Sequence, residues 1–208
     1  MSDSSLSLVK STLRGVLLAQ RQDLTSANRH KAEIKLAGRL KEFLATKPWQ
    51  RCAVFLPWRG EPDLTKAWHD LHGQGYALAL PACLADRKTM EMRNWEPTSP
   101  LEHDALGLRA PAASAGVVVC DAWLVPCLGV GPEGERLGAG MGFYDRAIAA
   151  LKPDQRPATI GICFQAGLVP TSFAQAHDLV LDACLTEEGI RFFNRPDKAL
   201  QAPHAHQA

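Results

Sequence analysis

A glycine-rich segment between residues 126 and 145 is the part of this sequence best suited to chemistry. Six of the sixteen glycines lie between residues 129 and 142. Glycine loses much conformational freedom on folding, so such a segment is expected where the backbone turns tightly or approaches a ligand. It precedes a predicted helix, whose free N–H groups attract anions, and Arg136 adds a guanidinium fork suited to phosphate. The segment predicts a phosphate site, although a glycine-rich turn without a ligand would have the same composition.

Two familiar nucleotide motifs do not account for this segment. Gly129, Gly131 and Gly134 have the G-x-G-x-x-G spacing, but the predicted helix begins roughly ten residues too late for the dinucleotide fingerprint. The sequence contains no G-x-x-x-x-G-K-[ST] motif, which excludes a P-loop. A phosphate site of another type is therefore predicted.

Acidic residues near the predicted loop suggest a metal ion. Asp145 lies at the start of the predicted helix, where a carboxylate can bind a phosphate-bound Mg²⁺ or simply favour the helix N-terminus. Asp178 and Asp182 flank the start of a later strand. Either could be a second metal ligand or a solvated loop acid.

The spacing of apolar residues predicts the elements that position these groups. Helices are expected over residues 5–20, from a cap at Thr25 or Ser26 to Pro48, from Glu61 to about His72, and over 143–151. Strands are expected over residues 52–56, 76–80, 89–95, 117–119 with 123–125, 158–164 and 179–185, with Pro81 ending the second. This alternation predicts an α/β single-domain three-layer sandwich with a mostly parallel central sheet covered by helices on both faces. The domain is expected to span residues 1–193, followed by a flexible C-terminal tail over 194–208.

Bulk composition limits the classes of partner. The 208 residues carry a formal net charge of +1, and no apolar run approaches the roughly 20 residues of a membrane span. We therefore expect a cytoplasmic monomer that acts on small molecules, with no nucleic-acid or membrane partner. The six cysteines are scattered without a C-x-x-C pair, which predicts buried reduced thiols.

The run from Arg136 to Asp145, R-L-G-A-G-M-G-F-Y-D, closely resembles the signature of the 5-formyltetrahydrofolate cyclo-ligases, also called methenyltetrahydrofolate synthetases. Weaker resemblances occur in the right order at residues 10–14, 55–61, 80–81, 90–95 and 177–187. The resemblance implies ATP- and Mg²⁺-dependent conversion of 5-formyltetrahydrofolate to 5,10-methenyltetrahydrofolate, with release of ADP and phosphate. It also implies a phosphorylated formyl intermediate, an iminium phosphate.

The resemblance further assigns roles to individual residues. It implies that ATP contacts Lys10, Arg14, Arg136, Leu137, Gly138, Ala139, Gly140, Met141, Gly142, Phe143 and Tyr144. Arg136, Tyr144 and Asp145 would be catalytic, and Asp145 and Asp178 would bind Mg²⁺. Leu56, Glu61, Met141 and Phe143 would border the folate, with Glu61 accepting hydrogen bonds from its ring system. The chain departs from the family pattern at Met141, commonly Gly or Lys, at Cys127, usually Gly, and at Pro62 and Leu64, usually Val and Thr.

Two other classes of protein remain open at this stage. One is a sugar-phosphate isomerase-like or CoA-transferase-like enzyme on a related α/β fold, but the activated glutamate of a CoA transferase is not identifiable. The other is a non-catalytic regulator that binds nucleotide or folate. Intact Arg136, Asp145 and Glu61 argue against the regulator.

Overall fold

A computed structural model describes residues 3–175 and 178–193, so the predicted tail lies outside the described residues. Its helices are α1 (Asp3–Gln22), α2 (Ser26–Ala45), α3 (Thr65–Gly73) and α4 (Phe143–Ala150). Its strands are β1 (Arg51–Ala53), β2 (Ala77–Cys83), β3 (Met90–Trp95), β4 (Glu102–His103), β5 (Arg109–Ala110), β6 (Ala122–Pro126), β7 (Gly129–Val130), β8 (Arg136–Leu137), β9 (Ala158–Ile162), β10 (Ala183–Leu185) and β11 (Ile190–Phe192). None of these described helices is long and apolar enough to cross a bilayer.

Seven strands form the central sheet, in the order β11-β10-β9-β6-β1-β2-β3. The five inner strands run parallel, and only the edge strands β3 and β11 pair antiparallel with their neighbours. The chain builds the sheet outwards in both directions, from β1 to β2 and from β6 to β9 and β10. The strand order therefore reverses between β1 and β6, a position where parallel sheets open a crevice for ligands. The predicted mostly parallel sheet is confirmed.

The sheet buries apolar side chains on both faces because successive residues of a strand point to opposite sides. On one face, Leu40 of α2 and Trp68 of α3 pack in the same cluster as Leu124 of β6. On the other face, Ile148 of α4 packs in the same cluster as Val125 of β6. Each fully buried side chain of this size contributes about 1.5–3 kcal/mol. All six cysteines are buried and free of disulfides, as predicted.

Helix α1 buries charge as well as apolar side chains. The Val16 side chain is 50% exposed. The buried residues of the helix are Leu17 and two basic residues, Lys10 and Arg21. Leu17 packs against Leu137 in a small cluster beside the sheet. The inner face of α1 therefore combines an apolar patch, formed by Val9, Leu13 and Leu17, with buried cations.

Several predicted element boundaries are corrected by the structure. The helix predicted from Glu61 begins at Thr65, because the Glu61 carboxylate turns back to accept a hydrogen bond from Trp58 N. Strand β2 continues through Pro81, which pairs with β3. Its pairing with β1 ends at Ala79, so the missing N–H of Pro81 breaks no hydrogen bond with β1.

Four predicted strands are shorter than expected. β1 ends at Ala53 and β9 ends at Ile162, whereas ends at residues 56 and 164 were expected. Residues 117–119 make only one isolated bridge, from Val117 to Arg93, and the strand predicted over 179–185 is regular only from Ala183. The antiparallel edge strand β11 was not predicted, because its three residues are too few to show a period.

Candidate active site

One large cavity, of about 1010 Å³, opens at the carboxyl ends of β1, β2 and β6. The segment after β1, including Leu56 and Glu61, forms part of its lining, and so does the glycine loop before α4. Lys10 and Arg14 reach it from the basic inner face of α1. The volume lies at the upper end of the range for small-molecule sites, about 300–1,000 Å³. The cavity therefore has room for more than one small ligand.

The glycines of the loop have separate physical reasons to be glycine. Gly140 and Gly142 adopt left-handed backbone conformations, with φ of 97° and 66°, which side-chain-bearing residues rarely adopt. Gly142 is also the N-cap of α4. A Cβ on Gly138 would lie 2.5 Å from the Arg136 guanidinium. The loop thus follows a path that brings its backbone against charged groups.

Arg136 is held by contacts with three neighbouring residues. Its Nε and Nη2 donate to the Pro126 carbonyl at 3.2 and 2.8 Å, and its guanidinium lies 4.8 Å from the centre of the Tyr144 ring. Its Nη1 lies 3.9 Å from Asp145 Oδ2. Because these contacts fix the fork, a cation is fixed at the cavity wall without reorganisation.

Helix α1 brings two basic side chains to the cavity wall, and one of them braces the glycine loop. Arg14 Nε donates to the Gly138 carbonyl at 3.1 Å. Lys10 Nζ donates to Gln175 Oε1 at 2.7 Å and forms a 2.5 Å ion pair with Asp178, whose Oδ2 also accepts from Gln175 N. Both members of the pair are about nine-tenths buried. Lys10, predicted to bind phosphate, and Asp178, predicted to bind metal, therefore neutralise each other in the free protein.

Glu61 combines burial with a local hydrogen-bond lock. Its Oε2 accepts from Trp58 N at 3.0 Å, and its own N donates to the Trp58 carbonyl at 3.0 Å. Burial raises the pKa of Glu61 to about 7, while the Trp58 hydrogen bond and the charges of Arg21 and Arg136 oppose the rise. The carboxyl group therefore changes charge near neutral pH. A carboxylate in this position can accept hydrogen bonds from a ring carrying N–H donors.

Asp145 and Tyr144 start helix α4 beside Arg136. Asp145 Oδ1 accepts from Leu179 N at 2.8 Å, which leaves Oδ2 facing Arg136. Burial raises the pKa of the Tyr144 hydroxyl, so it stays a neutral donor at physiological pH. No group of three or more His, Cys, Asp or Glu side chains suited to a metal occurs among the described residues.

Most of the site residues predicted from the sequence come together. The cavity is lined by Lys10, Arg14, Leu56, Glu61, Arg136, Gly138, Ala139, Gly140, Met141, Gly142, Phe143, Tyr144, Asp145 and Asp178. Leu137 does not line it; its side chain is buried against Leu17. Met141 is 40% exposed, whereas Phe143 is mostly buried with the Arg146 guanidinium over its ring. The contacts of these residues with ATP, folate or Mg²⁺ stay predictions.

Sequence reasoning missed Arg21, a basic residue beside the site. Arg21 lies on the same face of α1 as Lys10 and Arg14 and is 8% exposed. These three residues are four and seven positions apart, which are spacings that bring side chains to the same face of a helix. The helical spacing of these basic residues is the signal that could have identified Arg21. Trp58 and Arg146, which also line the cavity, carried no such signal.

Comparison with known sequences gives a consistent result. A model described as the 5-formyltetrahydrofolate cyclo-ligase family matches residues 7–187. A Mus musculus protein named 5-formyltetrahydrofolate cyclo-ligase is 24% identical over 204 residues, covering 90% of this chain and 98% of the mouse protein. A Mycoplasma pneumoniae protein of the same name is 24% identical over 185 residues, covering 86% of this chain and 99% of its own.

Solved structures share the fold. The NMR structure of Aquifex aeolicus 5,10-methenyltetrahydrofolate synthetase superposes with a TM-score of 0.77 at 26% identity, covering 96% of this chain and all of the Aquifex chain (100%). The Mycoplasma pneumoniae 5,10-methenyltetrahydrofolate synthetase gives a TM-score of 0.68 at 21% identity, covering 86% of this chain and 98% of its own. These likenesses extend over nearly the whole chain.

Proposed function

Because the chain belongs to the 5-formyltetrahydrofolate cyclo-ligase family, we propose that it converts 5-formyltetrahydrofolate to 5,10-methenyltetrahydrofolate, using MgATP and releasing ADP and phosphate. One observation carries the finer part of this proposal. A single cavity contains the basic side chains of Lys10, Arg14 and Arg136 together with the glycine loop, and the same cavity contains the titratable carboxyl group of Glu61. The basic side chains suit a polyphosphate, and the Glu61 carboxyl group suits a ring with N–H donors.

The chemistry begins with a leaving-group problem, since the formyl oxygen of an N5-formamide is not displaced directly. In the proposed reaction that oxygen attacks the γ-phosphorus of ATP, the bond to the bridging oxygen breaks, and ADP leaves. The N5 lone pair then forms an iminium phosphate. N10 adds to the formyl carbon with loss of its proton, and phosphate leaves with the C–O bonding electrons as the methenyl bridge closes.

The protein's task in phosphoryl transfer is mainly positioning and charge stabilisation. Arg136 suits this task because Pro126 and Tyr144 already hold its guanidinium in place. Arg14 braces Gly138, so the loop backbone and a second cation face the same ligand. Lys10 can exchange Asp178 for a phosphate oxygen without losing a counter-charge. No protein nucleophile is required.

Mg²⁺ fits this site as an ion bound mostly by phosphate oxygens and water. Mg²⁺ commonly takes only one or two protein carboxylates beside a nucleotide. Asp145 suits this role because Oδ2 has no partner closer than Arg136 at 3.9 Å among the described residues. Asp178 could bind the ion only if its carboxylate also kept its ion pair with Lys10 or gave that ion pair up. When bound, the ion would neutralise negative charge on the phosphates.

Ring closure depends on how the folate is held. We propose that the Glu61 carboxylate accepts hydrogen bonds from the folate ring, and that Leu56, Met141 and Phe143 border it. Holding N10 against the formyl carbon is worth roughly 7–11 kcal/mol in well-oriented reactions. We also propose that the neutral Tyr144 hydroxyl donates to an oxygen that gains negative charge, because the Tyr144 ring lies against Arg136.

The direct test mixes the purified protein with 5-formyltetrahydrofolate and MgATP and follows the near-ultraviolet absorbance of the methenyl product. We expect product in the complete mixture and none when ATP or Mg²⁺ is omitted. Binding of both substrates without product would instead support a nucleotide- and folate-binding regulator. Product formed without ATP would contradict the proposed chemistry.

A further inference from the structure

Arg146 is a cation at the cavity wall that the proposed reaction leaves without a role. It closes the first turn of α4, where its backbone N–H donates to the Gly142 carbonyl at 3.0 Å. The residue is exposed. Among the described residues, no carboxylate lies within ion-pair distance of its guanidinium. The charge of Arg146 is therefore available to an anion that enters the cavity.

Two contacts hold the Arg146 side chain in place. Its Nε donates to the Lys88 carbonyl at 2.9 Å, and its guanidinium lies 5.0 Å from the centre of the Phe143 ring. These contacts use Nε and one face of the guanidinium. Both Nη groups are left without a hydrogen-bond partner among the described residues. A planar fork with free Nη donors suits the oxygens of a phosphate or carboxylate group.

The guanidinium of Arg146 lies against the glycine loop. A Cβ placed on Gly142 would be 2.8 Å from Arg146 Nη1 and 4.0 Å from Asp145 Oδ2. Both side chains therefore surround the same point of the loop backbone. Asp145 is the carboxylate that suits a Mg²⁺ ion bound mainly by phosphate oxygens. A phosphate oxygen at this point would meet the metal ion and the Arg146 cation together.

Arg14 approaches the same loop in a similar way. Its Nε donates to the Gly138 carbonyl at 3.1 Å, and a Cβ placed on Gly140 would be 3.5 Å from its Cζ. Its Nη groups also have no partner among the residues that the structure describes. Two arginines thus contact the loop, one at Gly140 and one at Gly142, each with Nε bound to a carbonyl and Nη donors left over. Paired forks of this kind suit a chain of phosphate groups.

We propose that Arg146 is a phosphate-binding residue of the site: its Nη groups donate to oxygens of the ATP phosphate chain at the Gly142 end of the loop, while Arg14 serves the Gly140 end. This inference rests on the proposed function for the identity of the nucleotide. Its physical content, a guanidinium fork that binds phosphate oxygens, does not require the methenyl reaction.

The other groups at the cavity wall leave this role to Arg146. Lys10 is already paired with Asp178. Arg109 also lacks a carboxylate partner among the described residues, but it lies on β5 and contacts no glycine of the loop. A carboxylate group of the folate is the other oxyanion that this fork would suit. The position of Arg146 beside Asp145 favours phosphate, and separate titrations with the two substrates distinguish these ligands.

The test compares Arg146→Gln and Arg146→Lys with wild type in calorimetric titrations with MgATP and, separately, with 5-formyltetrahydrofolate. Gln removes the charge, whereas Lys keeps the charge without the fork. We expect Arg146→Gln to weaken MgATP binding about tenfold or more, the scale of a hydrogen bond to a charged group, and to leave folate affinity unchanged. Arg146→Lys should lose less.

Arg39→Gln is the matched control. Arg39 is also an exposed arginine whose Nε donates to a backbone carbonyl, that of Glu187 at 2.9 Å, but it lies outside the cavity. Its replacement should change neither affinity. The Tm of each ligand-free variant shows whether the fold is intact.

Unchanged MgATP affinity in folded Arg146→Gln overturns the proposal, and so does a loss confined to folate. If Arg146→Gln does not fold, Arg146→Lys decides: weaker MgATP binding at a normal Tm supports the proposal, and unchanged binding overturns it. Failure of both variants to fold makes Arg146 a structural brace between α4 and the Lys88 carbonyl, which also overturns the proposal.

Steady-state kinetics connect Arg146 to the reaction. In Arg146→Gln the KM for ATP should rise about tenfold, while the KM for 5-formyltetrahydrofolate stays the same. A merely structural role would change both KM values together. If the wild-type protein binds MgATP but makes no methenyl product, the proposed function fails and the titrations still decide the role of Arg146. If it binds no MgATP, both proposals fail.

Discussion

At the scale of single residues, the site uses side chains that the fold holds in place before ligands arrive. Arg136 donates to the Pro126 carbonyl and lies over the Tyr144 ring, so its position does not depend on phosphate. Glu61 is locked to Trp58 within its own turn. Fixed groups of this kind stabilise a transition state without the cost of reorganising.

Replacement of Arg136 tests the phosphate site directly. Arg136→Ala should lower kcat by roughly 10²-fold or more, the scale of losing one charge-stabilising group. The kcat of Arg136→Lys should lie between those of the wild type and Arg136→Ala. Lysine keeps the charge but loses the two-point contact with the Pro126 carbonyl. Methenyl product formation measures both, with Arg39→Ala as an exposed control. Near-native kcat in folded Arg136→Ala would remove this residue from the phosphate site.

The raised pKa of Glu61 predicts a pH dependence of folate binding. If the carboxylate is the form that binds the ring, affinity should be about tenfold weaker near pH 6 than near pH 8, since the Glu61 pKa is about 7. Fluorescence or calorimetric titration with 5-formyltetrahydrofolate measures the affinity at each pH. Glu61→Gln should flatten the profile, and a wild-type profile without a midpoint near 7 would contradict the prediction.

The same shift has a consequence for stability. A carboxyl group whose pKa is raised on folding contributes stability below its ordinary value, 4.5, and this contribution is lost as pH rises through about 7. Free Glu61→Gln protein should therefore gain stability relative to wild type above neutral pH. Denaturant unfolding at several pH values shows the sign.

At the scale of elements, helix α1 and the glycine loop depend on each other. α1 buries Lys10 and Arg21 instead of a continuous apolar stripe, and Arg14 braces the Gly138 carbonyl. Most helices gain their stability by burying apolar area. α1 gives up part of that gain to bring cations to the cavity, and it is tied to the remaining structure by polar contacts.

The Lys10–Asp178 pair is the clearest of these ties. Asp178→Asn should destabilise the protein by about 3 kcal/mol, because it leaves a buried lysine charge uncompensated. Lys10→Met should destabilise for the converse reason, and the double variant should recover part of the loss. Urea unfolding of the two single variants and the double variant gives the three changes in the free energy of unfolding, which form a double-mutant cycle. Additive losses in the double variant would show that the pair is not coupled.

Replacing a glycine with alanine should be harmful in the glycine loop and favourable in helix α2. Gly140→Ala should raise the KM for ATP, because alanine is strained at a φ of 97° and the loop path would have to change. Gly38→Ala, in the middle of α2 with no atom within 4 Å of the added Cβ, should stabilise the protein by about 0.5–1 kcal/mol. Steady-state kinetics and thermal unfolding distinguish the two. An unaffected ATP KM in Gly140→Ala would mean that the loop path is not set by this glycine.

At the scale of the whole molecule, the cavity lies where the strand order reverses between β1 and β6. Segments that are far apart in sequence meet there, from α1 at one end of the chain to Asp178 near the other. A ligand that fills this cavity should therefore stabilise the entire fold and not one segment. Mass action gives about 2.7 kcal/mol at a ligand concentration of 100 times the Kd.

Thermal unfolding tests this prediction together with the role of Asp145. MgATP at that concentration should raise the Tm by roughly 5–11 °C for a chain of this length. Asp145→Asn should keep a response to ATP but lose most of the additional shift produced by Mg²⁺. An undiminished Mg²⁺ effect in Asp145→Asn would make this aspartate a structural partner of Leu179.

The sequence alone determined those features that a few neighbouring residues encode. The start of α4 at Phe143 and a cap at Thr25 or Ser26 follow from local signals, and the structure has Thr25 as the cap. The alternation of strands and helices indicates the sheet. The glycine spacing predicts a phosphate-binding loop, which stays a prediction. These features depend on backbone preference and on periods of two or 3.6 residues, which hold wherever the segment lies.

Only the tertiary structure decided which groups meet and in what environment. Lys10 and Asp178 are 168 positions apart, and nothing local states that they pair. Leu137 lies inside the family signature yet turns into the core against Leu17. Burial raises the pKa of Glu61 to about 7, against the opposing effects of the Trp58 hydrogen bond and of two arginines that are distant in sequence. Packing fixes such contacts because the free energy of burying a charge or a side chain depends on everything around it, whatever its place along the chain.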